Sequence, residues 1–132
     1  MENKVIAVLD GMTRLLTEKG WTQGALARDK DGEKTEWHLE TACSFCLRGA
    51  LVVASWQHGM QAQMSARSRL EMALAVPGDT VSFNDAPGRT REEVLDLIER
   101  RMQAIAEHTC AAFGATVEFK FHRNYPPTIN HP

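Results

Sequence analysis

Clustered basic charge, long apolar runs and paired cysteines are all missing from this sequence, and each absence closes off a class of function. Its 15 Lys and Arg residues nearly balance 17 Asp and Glu, and they are scattered along the chain. Nucleic acids and anionic membrane surfaces attract grouped positive charge, so neither is expected as a partner. No apolar run nears the roughly 20 residues that cross a bilayer. A single Lys precedes residues 5–9, and Asp10 follows them, which does not give the long uncharged centre of a signal peptide. The expected location is the cytoplasm. The cysteines number 3, an odd count that suits reduced thiols better than a disulfide framework. No glycine-rich phosphate loop and no nucleophile-elbow motif occurs.

What is present is helical periodicity. A chain of 132 residues suits one domain with one core. Val5, Val8, Leu9, Met12, Leu15 and Leu16 share one face of a helix over residues 3–19, with Gly20 as its stop. Trp21 follows, placed to fold back on that last turn. A second helix is predicted over residues 41–56. It is apolar nearly all round, so it should be the buried centre, with Gly49 and Ala50 admitting another helix closely. Ser65 can cap a third helix over residues 66–75, ahead of Pro77 and Gly78. Thr90 and Glu93 form a capping-box pair that opens a fourth. There Val94, Leu97, Ile98, Met102, Ile105 and Ala106 recur at helical spacing, and Gly114 offers the end.

Extended structure is scarcer. Residues 35–39 and 81–83 are short strand candidates, and residues 84–88 read as a turn. In residues 116–122, Val117, Phe119 and Phe121 alternate with polar neighbours, the pattern of a strand with one buried face. Tyr125, Pro126 and Pro127 end it. Its only mates in the chain are the two short candidates, so an open edge is expected, and an open edge is a template for another chain. The fold class is therefore α+β and helix-dominated: about four helices with a C-terminal strand. Residues 1–89 form the helical part of a single domain, and residues 90–132 the helix, strand and Pro-rich tail.

Two family resemblances meet in the fourth helix. Trp21, Thr22, Gln23, Gly24, Ala25, Ala27, Arg28 and Asp29, then Cys46, Gly49, Ala50 and Leu51, then Asn84 and Asp85 ahead of Thr90, Glu93 and Val94, resemble domain of unknown function 6197. Those are small bacterial and phage-associated proteins, and the resemblance, over residues 4–102, implies a mostly helical fold and no reaction. Phe45 stands where that family's pattern has Trp. Residues 99–132, with Ala111, Phe113, Gly114 and the run from Tyr125 to Pro132, are similar to the lid or dimerisation segment of hippurate-hydrolase-type amidohydrolases. That resemblance implies a helix followed by a strand. It does not bring the hydrolase, whose metal-binding motifs have no counterpart here. Two unrelated resemblances sharing one helix suggest a chimera: recombinant, engineered or generated, or an unusual natural fusion.

Several constellations were weighed for chemistry. Cys43 and Cys46, flanked by His38 and His58, resemble a zinc ligand set in composition but match no standard spacing. Buried small cysteines in an apolar helix are the preferred reading, with no cofactor or metal expected. His108 and Cys110 point to different helix faces, a poor nucleophile pair. Arg28, Asp29, Arg48, Asn84 and Asp85 are the polar members of the first signature. They suit either a small ligand cleft or, as preferred, a structural network in which Asn84 or Asp85 bonds a turn and an arginine answers an acid. Trp21, Trp37 and Trp56 read as core or core-edge residues. The expected function is non-enzymatic: a regulatory protein, antitoxin-like or inhibitor-like, that binds a protein partner through Val117, Phe119, Phe121 and Tyr125. The alternatives are a metal- or thiol-dependent hydrolase accessory using Cys43 or Cys46, and a structural homodimer.

Overall fold

The computed structural model describes residues 2–74 and 78–111, without the side chains of residues 109–111. The alternating segment 116–122 and the residues Val117, Phe119, Phe121 and Tyr125 lie outside the described residues. In chain order the elements are α1 (Glu2–Glu18), β1 (Ala27–Arg28), β2 (Ser44–Phe45), α2 (Leu47–Ser55), α3 (Met60–Met72), α4 (Thr80–Asp85) and α5 (Arg91–Ala111).

α1 forms where the apolar spacing predicts it. Val5, Val8, Leu9, Met12 and Leu16 are buried on one face, which packs against α2, α3 and α5. Each such side chain contributes roughly 1.5–3 kcal/mol by leaving water. Gly11 lies on the α2 side of this helix, and a Cβ there would stand 3.2 Å from that of Ala54, so this glycine sets the close approach of the two helices. α5 opens with the reciprocal cap that Thr90 and Glu93 promise. The Glu93 amide donates to Thr90 Oγ1 at 3.2 Å, and the Thr90 amide donates to Glu93 Oε1 at 2.9 Å. All six residues expected on its inner face are buried, as is Leu95.

The backbone hydrogen bond from Thr90 is the main cause that holds the Glu93 carboxyl below the ordinary glutamate range. A depressed folded-state pKa means the stabilisation is present above the unfolded-state value, about 4.3, and is lost as pH falls through the folded-state value. Melting curves of the protein and of Glu93→Gln should therefore differ at neutral pH and converge in acid below about pH 4. A gap that persists undiminished at pH 3 would contradict this assignment.

The described residues hold five helices rather than the expected four, with a small antiparallel sheet. Residues 81–83, expected as extended, are helical: Asp79 caps α4 by accepting from the Ser82 amide at 2.7 Å. Residues 35–39 form no strand; Lys34 makes an isolated bridge to Arg28, and the Thr35 amide donates to the Ala27 carbonyl at 3.1 Å. The sheet pairs Ala27 with Phe45 and Arg28 with Ser44. α2 starts at Leu47, six residues later than expected, because residues 44–45 pair as β2 and Cys46 takes an extended N-cap conformation. A run such as Ala42 to Cys46 has apolar residues that suit a strand as well as a helix. α3 starts at Met60, ahead of Ser65, with Gly59 at its N-cap. Its inner stripe is Ala62, Ala66 and Leu70.

The centre of the core also differs. α5 packs on α1 and α3, while α2 is held by α1, α3 and α4. Gly49 admits no helix. A Cβ there would lie 2.0 Å from the backbone oxygen of Leu26, so this face of α2 is taken by the chain entering β1.

Candidate functional site

Asn84, in the last turn of α4, is fully buried, and its carboxamide is saturated. Oδ1 accepts from the Trp21 indole Nε1 at 2.6 Å and from the Leu47 amide at 3.0 Å. Nδ2 donates to the Thr22 carbonyl at 3.0 Å and to Asp85 Oδ1 at 2.9 Å. The carbonyl of Asn84 accepts from Gln23 Nε2 at 2.9 Å, and the same amide group donates to Ala86 at 3.0 Å. Asp85 Oδ1 also accepts from the Gly24 amide at 3.1 Å. One residue thus joins the loop after α1, the start of α2 and the end of α4. Leu47 is the first residue of its helix, where the amide has no acceptor inside the helix, and Asn84 supplies one from outside.

The other signature residues are similarly engaged. Arg28 Nε donates to Thr22 Oγ1 at 2.9 Å, Nη2 to the Gln23 carbonyl at 2.9 Å, and Nη1 to the Gly32 carbonyl at 3.0 Å. Carbonyl oxygens, rather than an acid, answer this arginine. Asp29 closes its own turn: Oδ1 accepts from the amides of Asp31 and Glu33 at 2.9 and 3.0 Å. Arg48 reaches Thr80 Oγ1 at 3.2 Å. Arg28, Asn84 and Asp85 therefore meet through residues 22–24, whereas Arg48, in the first turn of α2, reaches α4 at Thr80, and Asp29 closes the turn that Arg28 touches at Gly32. In this arrangement the polar groups are directed at the protein's own backbone.

Cys43 and Cys46 do not share a helix turn. Cys43 precedes β2 and is exposed, donating to the Thr41 carbonyl at 3.3 Å. Cys46 is buried as the N-cap of α2, its Sγ accepting from the Gly49 amide at 3.2 Å. Burial raises its pKa, and this outweighs the amides of Gly49 and Arg48 that favour the thiolate. Cys46 therefore stays a neutral capping thiol. Among the described residues, no three or more His, Cys, Asp or Glu side chains gather as a metal-ligand set.

The sequence reading missed an aromatic groove. Trp56, at the C-cap of α2, is 70% exposed, not a core residue. Its ring centroid lies 5.3 Å from that of Trp37 at an interplanar angle of 57°, and Trp37 meets His38 edge to face at 5.2 Å. Together with Val53, Ala54 and Gln57 they line an open groove of about 710 Å³. The all-round apolarity of α2 carried the signal. Leu47, Ala50 and Leu51 face the core, while Val53 and Trp56, one turn apart, form a second apolar side that Trp37 covers only in part.

Compared with known proteins, residues 1–104 match the profile of a family of unknown function, DUF6197. A stretch of 41 residues is 34% identical to a Bacillus subtilis (strain 168) protein named "Putative amidohydrolase YhaA", covering 31% of this chain. The chain spans about a tenth of that curated relative's length, 10%. This agrees with an amidohydrolase-like segment, as the sequence reading expected. No solved structure matches the chain.

Proposed function

The chain belongs to the family of unknown function DUF6197, and we propose that it is a non-enzymatic module that binds another protein through the Trp37–Trp56 groove. The observation that carries this reading is the exposure of Trp56 beside Trp37 in a preformed concavity. Tryptophan dominates binding energies because it brings a large, rigid apolar face and one N–H donor. Further apolar exposure lies on α3, where Met60 and Met64 stand on successive turns and face solvent. Methionine side chains adapt readily to a partner's surface. The saturated network around Asn84 leaves its carboxamide with no free donor or acceptor for a ligand. A regulatory role of inhibitor or antitoxin type is the narrower form of this proposal.

Trp56→Ala is expected to change thermal stability little, within about 0.5 kcal/mol, as for exposed sites generally. It should weaken partner binding by about 30-fold or more, the effect of losing a hot-spot side chain. The check is a titration of the purified partner by calorimetry with both proteins. Undiminished affinity for a folded Trp56→Ala protein would refute the groove as the docking site.

A second docking surface, the strand expected over residues 116–122, is favoured by one observation. Residues 81–83 lie in α4 and residues 35–39 form no strand, so neither of its anticipated mates is a strand. Phe119→Asp in the same titration separates the two surfaces.

A further inference from the structure

Away from the Trp37–Trp56 groove, the first turn of α1, the end of α3 and the second half of α5 enclose a cleft of about 620 Å³. Its rim carries Arg69, Arg101 and His108 against a single acid, Glu2. Its apolar part comes from Met72, which is exposed, and Ile105, which is buried. Arg69 is held by Glu2 in a two-pronged pair, Nη2 to Oε1 at 2.6 Å and Nη1 to Oε2 at 3.1 Å. Arg101 differs: its Nε is buried and has no hydrogen-bond partner among the described residues. A buried donor on a charged group without an acceptor is costly, and such groups in native proteins call for an explanation. Among the described residues no acid pairs with Arg101, so a ligand in the cleft meets a guanidinium not already engaged, on the side away from the buried Nε.

We propose that this cleft binds a small molecule with an apolar body and one oxyanion head, carboxylate or phosphate. Arg101 holds the head through the Nη groups of its guanidinium, whose planar fork suits planar and tetrahedral oxyanions alike. The body lies against Met72 and Ile105. The two guanidinium groups exceed the one carboxylate by a single positive charge, which a carboxylate head balances and a phosphate monoester, about −1.5 to −2 at pH 7, exceeds. Glu2 competes with the ligand for Arg69. The cleft's size lies within the range of small-molecule sites and exceeds what a bare ion needs.

The test is a titration of ¹⁵N-labelled protein with phenyl phosphate and with phenylacetate, alongside inorganic phosphate and phenol as the separated halves. The Arg101 Nε–H resonance should move and saturate, and one of the two aryl anions should bind at least about ten-fold more tightly than either half. The stronger of the two identifies the head group. Arg101→Met should weaken that binding about ten-fold or more, and Glu2→Gln should strengthen it by releasing Arg69. Should Arg101→Met fail to fold, Glu2→Gln decides by itself, since Glu2 is a half-buried residue in the first turn of α1 and glutamine is its isostere. Inorganic phosphate binding as well as phenyl phosphate, unchanged affinity in Arg101→Met, or weaker binding in Glu2→Gln would each overturn the proposal.

Discussion

Gly49→Ala is expected to destabilise the protein by at least about 3 kcal/mol, although helix propensity alone predicts the opposite sign. Within a helix, alanine is favoured over glycine by about 1 kcal/mol. At this position, however, a Cβ would stand 2.0 Å from the Leu26 oxygen and 2.9 Å from its carbonyl carbon. Both are backbone atoms, so no rotamer change relieves the overlap. The Leu26 carbonyl is also held in place by the Cys46 amide, from which it accepts at 3.2 Å. Moving it would disturb the pairing of Ala27 with Phe45 and the cap of α2 together. Equilibrium urea denaturation measures the change. A Gly49→Ala protein as stable as the original would mean that the loop before β1 does not rest on α2.

Asn84→Ala is expected to cost about 3–5 kcal/mol, since it strands several partners in one step. The Leu47 amide and the Trp21 indole N–H lose their acceptor, and the Thr22 carbonyl loses its donor. Leaving a buried polar group unsatisfied costs about 1–3 kcal/mol, and water can re-solvate the half-buried partners only in part. Asn84→Asp distinguishes shape from chemistry. It keeps both acceptor bonds but places a carboxylate beside the Thr22 carbonyl and the Asp85 carboxylate, where an N–H₂ had donated. It should therefore also be destabilising, and less so at a pH low enough to protonate it. An Asn84→Ala protein within about 0.5 kcal/mol of the original would mark Asn84 as a residue kept for binding rather than for folding.

How much of this was legible in the sequence depends on the range of the interaction concerned. α1 and α5 were readable because their signals are local: apolar residues at helical spacing, a reciprocal cap, and glycine after α1. α4 was locally readable too, through Asp79 and Ser82, but the short apolar run of residues 81–83 suits strand and helix alike. The sheet was not readable. Its strands are two residues long and lie more than a dozen residues apart, and their pairing depends on Gly49 yielding space to Leu26. The polar signature was visible as a set of residues, but the set divides: Arg28, Asn84 and Asp85 meet through residues 22–24, while Arg48 bonds Thr80 and Asp29 bonds its own turn. What Asn84 bonds to was not visible, because its side-chain partners other than Asp85 are 37 and more positions away. Trp56 was misplaced because composition does not reveal which side of an all-apolar helix lacks a cover.

The Asn84 side chain is engaged within the fold, which leaves recognition to surfaces such as the Trp37–Trp56 groove. The amide of Leu47 reports on this most directly. As the first amide of α2 it has no acceptor in its own helix and would exchange rapidly with solvent if Asn84 were free. Hydrogen exchange followed by NMR should find it as slow as the Ala50 and Leu51 amides inside α2, opening only with the fold as a whole. Exchange as fast as that of an exposed loop amide would show the Asn84 carboxamide available to a ligand, and the signature would then be a binding site after all.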